Sequence, residues 1–215
     1  MIVTIDGPAG AGKSSVARAL ADRLGFEFLD TGAMYRAVTW AVLKANANLE
    51  IADEVEAIAR RIRIEFRDND IFVDSHNVSK EIRTPRVTES VKFAAGNPTV
   101  RNILVEQQRR IGSEAENLVT EGRDQGTVVF PKAECKIFLT ATAEERARRR
   151  YRELIAKGEM VTFASVLESQ NERDQRDEQR EHAPLARAED AVEVYTDEMS
   201  QEQVLTHLEW IVRGQ

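Results

Sequence analysis

The fold is decided by Gly7-Pro8-Ala9-Gly10-Ala11-Gly12-Lys13-Ser14, a stretch that matches the pattern G-x-x-x-x-G-K-[S/T] in full. Glycines let such a loop wind so that successive backbone N–H groups point inward, toward phosphate oxygens. A helix that begins at the end of the loop adds the partial positive charge of its N-terminus. The stretch therefore predicts a phosphate-binding loop (the P-loop below), with Lys13 on the β- and γ-phosphates and the Ser14 hydroxyl on magnesium.

The residues on either side of the P-loop predict a βα unit. Ile2–Asp6 is a β-branched run typical of a buried strand. Apolar residues then recur at helical spacing, at Val16, Ala17, Leu20 and Leu24. Gly25 ends that helix, and Phe26–Asp30 resembles a second strand. Strand, loop, helix and strand within thirty residues favour a mostly parallel sheet.

Further along the chain, the alternation of strand and helix is interrupted and then resumes. Two strand-like runs, Arg63–Phe66 and Asp70–Asp74, flank a turn signal at Asn69-Asp70, which indicates an antiparallel hairpin. The strands Leu118–Gly122 and Lys136–Thr140 then continue the parallel core. We predict an α/β fold of the P-loop type: three layers, α/β/α, around a mostly parallel central sheet, with a small antiparallel insert and a short helical lid.

Composition restricts the classes of function. The 215 residues are 42% hydrophobic and 31% charged, as in an ordinary globular chain, and contain no apolar run of about 18 residues. The net charge of −7 argues against general nucleic-acid binding. Cys135 is the only cysteine, which excludes an internal disulfide and fits a reducing compartment. We expect a cytoplasmic protein with no membrane segment and no secretory signal.

Three polar stretches are candidates for binding a second anion. Asp30–Arg36 and Glu121–Gly126 each begin where a predicted strand ends, the edge at which α/β sheets bind ligands. Each carries an arginine suited to a phosphate, Arg36 or Arg123. The third stretch, Glu145–Arg180, has arginine-rich helices on both sides of a glycine loop, as a mobile lid requires. The same patterns also describe a turn beside the core, a surface ion pair and an exposed charged hairpin.

Taken together, the chain resembles the bacterial cytidylate kinases along nearly its whole length. The similar segments are Val3–Ser15, Leu29–Arg36, Val78–Thr84 (VSKEIRT), Glu121–Pro131 (EGRDQGTVVFP), Lys136–Leu139, Glu144–Arg150 (EERARRR), Glu172–Asp177 and Ala183-Pro184-Leu185. The resemblance implies ATP with Mg²⁺ as donor, CMP and dCMP as preferred acceptors, UMP as a poorer one, and a monomer. It also implies one domain, with a core of residues 1–32, 98–148 and 181–215, an acceptor-binding insert of about 33–97 and a lid of about 149–180.

The resemblance also assigns roles to individual residues. The donor would be bound by Gly7, Pro8, Ala9, Gly10, Ala11, Gly12, Lys13, Ser14 and Ser15. The acceptor would be bound by Thr31, Tyr35, Arg36, Arg101, Arg123, Asp124, Arg173, Asp177 and Arg180. The catalytic set would be Lys13, Arg123, Asp124, Arg149 and Arg150. No side-chain nucleophile is expected, because catalysis of phosphoryl transfer comes from positioning and electrostatics.

Three positions depart from the family pattern, and three alternatives stay open. Lys92 stands where a serine thought to contact cytosine is common, Glu121 replaces a frequent aspartate, and Tyr195-Thr196-Asp197 replaces a loop that often begins with aspartate.

The alternative functions are a broader pyrimidine kinase that accepts UMP, a nucleotide-binding regulatory module, and a nucleic-acid-binding ATPase. The lid arginines count against the second, since a switch needs no second anion pocket. The net charge counts against the third.

Overall fold

The computed structural model describes residues 1–67 and 70–214. In chain order the elements are β1 (Ile2–Asp6), α1 (Lys13–Leu24), β2 (Glu27–Asp30), α2 (Thr31–Lys44), α3 (Ala52–Arg61), β3 (Ile64–Arg67), β4 (Asp70–Val73), β5 (His76–Asn77), α4 (Pro85–Gly96), α5 (Pro98–Glu114), β6 (Leu118–Glu121), β7 (Cys135–Thr140), α6 (Ala143–Ala156), α7 (Phe163–Glu178), β8 (Val192–Tyr195) and α8 (Gln201–Arg213). A 3₁₀ turn forms at Glu81–Arg83 and a π-helical turn at Gln125–Val129. Over the described residues, no helix combines the length and the apolar character needed to cross a bilayer.

The chain groups into two compact units, which are described separately. The first consists of residues 1–29 and 115–215, and the second is Asp30–Glu114. The second unit reaches beyond the insert expected at about 33–97, because α5 packs on α3 and α4.

The sheet of the first unit has the strand order β2-β6-β1-β7-β8. β1 pairs in parallel with β6 on one side and β7 on the other, and β7 pairs in parallel with β8. A strand with two such neighbours and helices nearby is buried on both faces, which explains the uninterrupted β-branched run of β1. The predicted mostly parallel central sheet is confirmed. Its parallel pairing brings Asp6 and Glu121, the last residues of β1 and β6, to the same edge.

The core of the first unit lies between this sheet and the helices α1 and α8. Three residues of the predicted helical stripe of α1, Val16, Ala17 and Leu20, are buried against apolar residues of β1, β6 and α8, and the fourth, Leu24, is partly buried against the same core. The capping box that starts α8 is present, since Ser200 and Gln203 bond each other's backbone N–H groups. Cys135 of β7 lies in this core, and burial raises the pKa of its thiol to about 11.

The α6–α7 hairpin is the predicted pair of helices joined by a glycine loop. Apolar side chains, among them Ala147, Leu154 and Val166, are buried between the two helices. Gly158 adopts a φ of +79°, which lets the chain turn after α6. Met160 at the tip of this loop is fully exposed.

The second unit contains the predicted antiparallel hairpin. β3 pairs with β4 from Ile64 opposite Val73 to Arg67 opposite Asp70, and the short β5 extends this sheet. The predicted turn residue Asn69 lies outside the described residues. The helices α2, α3, α4 and α5 pack on one another, and α2 also contacts β4, so this small sheet has its own helical support.

Candidate active site

The P-loop leaves the end of β1 through a position that accepts only glycine. Gly7 has a φ of +148°, and a Cβ added there would lie 2.0 Å from the backbone oxygen of Leu139 in β7. The chain can therefore pass between strand and helix only without a side chain at this residue. Gly12 occupies the N-cap of α1, and within residues 1–67 no side chain caps this helix end. The first-turn N–H groups of α1 therefore have no side-chain cap, as a helix end that binds an anion requires. Phosphate binding at this helix end stays a prediction.

Lys13 is buried at the start of α1, although lysine is seldom buried. Its Nζ donates a hydrogen bond to the backbone oxygen of Pro8, at 2.7 Å. Burial and the positive charges of Arg123 and Arg173 lower the pKa of Lys13 to about 7, while Glu121 opposes the shift. Cations therefore crowd this end of the P-loop. A phosphate placed among them would stabilise the charged form of the lysine.

Ser14 and Glu121 form a pair of oxygen donors beside Lys13. The Ser14 hydroxyl donates to Oε1 of Glu121 at 2.7 Å, and Glu121 is buried at the end of β6. A hydroxyl and a carboxylate are hard oxygen ligands of the kind Mg²⁺ prefers. Over the described residues no cluster of three or more His, Cys, Asp or Glu side chains is able to hold a metal. Mg²⁺ typically takes few protein ligands and completes its shell with water and substrate phosphates, so this donor set fits the ion.

Asp6 fixes the segment that follows β6. Its carboxylate accepts hydrogen bonds from the backbone N–H groups of Gln125, at 2.9 Å, and Gly126, at 2.7 Å. Burial, together with the charge of Asp124, raises the pKa of Asp6 to about 6 despite these bonds. The arrangement holds Arg123 and Asp124 close to the end of β1.

Arg123, Asp177 and Arg180 form an ion-pair cluster between this segment and the end of α7. Nε of Arg123 donates to one carboxylate oxygen of Asp177 at 2.9 Å, and Nη2 of Arg180 donates to the other at 2.7 Å. Burial alone would raise the pKa of Asp177, but the charges of Arg123 and Arg180 hold it below its ordinary value. Arg173 contributes to the same shift. Two guanidinium groups thus bond one carboxylate, and the charge of a third acts on it.

The predicted catalytic arginines of α6 contact other groups. Arg149 donates to the hydroxyl of Thr196, at 3.0 Å, and to its backbone oxygen, at 2.6 Å. Thr196 directly follows β8. Arg150 pairs on the surface with Glu153, at 3.0 Å. Action of Arg149 and Arg150 on a transferring phosphoryl group stays a prediction.

The predicted acceptor residues of the second unit lie on α2 and α5. The guanidinium of Arg101 lies 5.5 Å from the ring centroid of Tyr35, and both side chains are buried. Arg36 donates to the hydroxyl of Thr88 at 2.8 Å and to the backbone oxygen of Ile82 at 3.2 Å. Thr31 is buried in the first turn of α2. These four residues therefore belong to one framework within the second unit.

Comparisons with known proteins show the family to which the chain belongs. The family model described as Cytidylate kinase matches residues 3–213. The chain belongs to the cytidylate kinase family. The cytidylate kinase of Rhodopirellula baltica is 49% identical over 99% of this chain and 93% of that protein. The cytidylate kinase of Caldanaerobacter subterraneus subsp. tengcongensis is 46% identical over 98% of this chain and 94% of that protein.

Other matches concern a longer protein and the fold alone. A bifunctional pantoate ligase/cytidylate kinase of Synechococcus sp. (strain WH7803) is 50% identical over 99% of this chain, which spans 44% of that protein. Among solved structures, the shikimate kinase of Bacteroides thetaiotaomicron has a TM-score of 0.53 at 12% identity, covering 99% of this chain and 98% of that one. This likeness supports the fold of the chain and nothing further, because the sequence identity is low.

In this member of the cytidylate kinase family, sequence reasoning assigned no role to Arg83, which forms an ion pair at the start of the candidate stretch Asp30–Arg36. Arg83 pairs with Asp30 at 3.0 Å, and Asp30 also caps α2 by accepting from the N–H of Ala33. The signal available in the sequence was that Arg83 lies in the segment VSKEIRT, one of those that resemble the cytidylate kinases. Lys92, a departure from the family pattern, is exposed on α4, with Nζ 5.1 Å from the ring centroid of Phe93.

Proposed function

We propose that the chain transfers the γ-phosphate of ATP to CMP or dCMP, giving CDP or dCDP and ADP. Membership of the cytidylate kinase family over residues 3–213 supports the reaction class, and the names of the relatives support cytidylate as acceptor. The observation that carries the proposal is the concentration of cations at the P-loop. Lys13 is buried, and its pKa is lowered first by that burial and then by the positive charges of Arg123 and Arg173 nearby. A site that moves a phosphoryl group between two anions needs this excess of positive charge.

The chemistry follows from positioning. An oxygen of the acceptor phosphate attacks the γ-phosphorus of ATP, the bond to the bridging oxygen breaks, and ADP leaves. Lys13 and the P-loop amides would hold the donor. Arg123, Arg173 and Arg180, ordered by Asp177, would neutralise the charge that builds on the transferring group. Thr31, Tyr35, Arg36 and Arg101 stay predicted acceptor contacts.

Magnesium belongs to this proposal because the donor set fits it. When bound, Mg²⁺ would neutralise negative charge on the phosphates of the donor. Ser14 would hold it directly, and Glu121 would accept a hydrogen bond from the hydroxyl of Ser14 or from water around the ion. A monomeric state and a cytoplasmic location stay predictions.

The test is a coupled assay of ADP release with Mg-ATP and, in parallel, CMP, dCMP, UMP, AMP, GMP or no acceptor. We expect turnover with CMP and dCMP, which Lys13→Met abolishes because the lysine charge is lost. ADP release that is the same with every acceptor and with none would show an ATPase, and no release under any condition would favour a binding module.

A broader pyrimidine kinase is a second candidate, which the departure at Lys92 favours. Lysine at an exposed position of α4, where serine is common, removes a small hydroxyl and adds a charged chain. A comparable rate with UMP and CMP would establish this candidate. In that case Lys92→Ser is expected to restore the preference for CMP. An unchanged ratio of the UMP rate to the CMP rate would show that Lys92 does not determine the selectivity.

A further inference from the structure

One turn of α7 lies directly on the P-loop. Oδ1 of Asp174 accepts a hydrogen bond from the backbone N–H of Ala9, at 3.0 Å. The other carboxylate oxygen pairs with Nη1 of Arg146 on α6. The same nitrogen of Arg146 donates to the backbone oxygen of Ala9, at 2.8 Å. Asp174 and Arg146 are each only 7% exposed, so both polar groups of Ala9 are bonded by buried side chains.

These contacts fix two successive peptide planes. In a trans peptide the C=O and the following N–H point in opposite directions, and the described chain has no cis peptide. The Pro8–Ala9 peptide therefore lies between Asp174, which accepts from its N–H, and Lys13, which donates to its oxygen. The Ala9–Gly10 peptide presents its oxygen to Arg146, so the N–H of Gly10 points away from Arg146. The position of Lys13 Nζ and the direction of the Gly10 N–H both depend on this arrangement.

Close packing at Gly10 strengthens the same contact. Gly10 has a φ of +76°, and an added Cβ would lie 2.8 Å from Oε1 of Gln170 and 3.2 Å from the backbone oxygen of Arg146. Gln170 lies one helical turn before Asp174 on α7, and it is also buried. The loop is thus held by hydrogen bonds at Ala9 and by steric contact at Gly10.

A carboxylate beside a phosphate-binding loop opposes anion binding by its charge. Its presence is therefore informative, since an uncharged acceptor such as an amide would meet the Ala9 N–H without that penalty. The neighbouring Arg146 neutralises Asp174, and a charge-assisted hydrogen bond holds the peptide more strongly than a neutral one. The polarised series from Asp174 through the Pro8–Ala9 peptide to Lys13 also orients the lysine.

We propose that Asp174, held by Arg146, is a positioning residue for the phosphoryl donor. It sets the two P-loop peptides on either side of Ala9, and through them it places Lys13 Nζ and the Gly10 N–H for the donor phosphates. The proposal rests on the proposed function for its kinetic readout. Binding of ADP gives a readout that does not depend on the acceptor.

The test separates positioning from stability. Replacing the buried pair by apolar residues, Asp174→Leu with Arg146→Met, removes both charges together and is expected to leave the unfolding temperature near that of the wild type. Both partners of Ala9 are then lost, so we expect kcat/KM for ATP to fall about 10- to 100-fold while KM for CMP changes little. The affinity for ADP falls as well. A matched control on the same helix is Glu168→Gln, which removes an exposed carboxylate and is expected to stay within about twofold of the wild type.

A second variant keeps the proposal testable if the double variant does not fold. Asp174→Asn retains an oxygen for the Ala9 N–H but loses the charge. We expect its Ala9 amide proton resonance to move upfield and its kcat/KM for ATP to lie between those of the wild type and the double variant. Wild-type kcat/KM in a stable double variant, or an unmoved Ala9 resonance in Asp174→Asn, overturns the proposal. Absence of CMP-dependent turnover in the wild type would instead refute the proposed function and leave ADP binding to test Asp174.

Discussion

Asparagine in place of Asp177 removes the carboxylate shared by Arg123 and Arg180. The three side chains are between 15% and 18% exposed, so this is a largely buried cluster. Removing one partner of a buried ion pair typically costs 3–5 kcal/mol, because the remaining charge stays buried. The residual exposure places Asp177→Asn at the lower end, and we expect the free energy of unfolding to fall by roughly 3 kcal/mol. Urea denaturation followed by circular dichroism measures this loss.

Inorganic phosphate gives the same prediction a second readout. The two guanidinium groups freed in the variant form an anion site, so added phosphate should restore stability, by about 1.4 kcal/mol at tenfold its dissociation constant. The rescue should exceed any effect of phosphate on the wild type. Glu202→Gln is the control, since it breaks an exposed pair with Arg23 on the surface and should change little. If Asp177→Asn proves as stable as this control and phosphate rescues neither variant, the electrostatic account of the cluster is wrong.

Three further predictions concern the edge of the sheet where β1 and β6 end. Gly7→Ala places a Cβ against the Leu139 oxygen, so the variant should lose ATP binding and unfold at a lower temperature. Differential scanning fluorimetry with and without ATP measures both effects. An unchanged unfolding midpoint with full ATP binding would contradict the steric argument. Ser14→Ala should raise the Mg²⁺ concentration needed for half-maximal activity while the unfolding midpoint stays near the wild-type value; an unchanged Mg²⁺ requirement would remove Ser14 from the metal site. The pKa of Asp6 rises from 3.8 to about 6 on folding, so the folded chain keeps a proton that the unfolded chain loses. The free energy of unfolding should therefore decline by roughly 2 kcal/mol as pH rises from 4 to 6. That decline should flatten in Asp6→Asn, and an equal decline in both proteins would assign it to other groups.

Local patterns were sufficient to predict the elements around the P-loop. The glycine motif, the β-branched run of β1 and the stop at Gly25 act within a few residues of one another, and the structure confirms each. The position of β6 between β2 and β1 did not follow from the sequence, because both of these neighbours lie far from β6 along the chain. The short strand β5 was likewise set by its neighbour β4.

In the candidate site, too, local sequence patterns do not determine which residues come into contact. Residues Glu172–Asp177 alternate in charge, and such a pattern fits a solvated helix face as well as a pocket. Packing of α7 on α6 and on the P-loop decides which of these charges is buried, so the contact from Asp174 to Ala9, 165 residues away, has no local signal. Arg146 and Arg149 have the spacing of one helix face, yet one reaches the P-loop and the other the residue after β8. Only tertiary contacts distinguish the two arginines.

The burial of Cys135 has a practical consequence for labelling experiments on this protein. Thiol reagents attack the thiolate, and a thiol inside the core with a pKa of about 11 offers almost none at neutral pH. The native chain thus carries no competing target for maleimide chemistry. A cysteine introduced at Met160, in the exposed loop between α6 and α7, would accept a single spin label. Electron paramagnetic resonance of that label, recorded with and without nucleotides, would test whether this hairpin moves as the predicted lid requires.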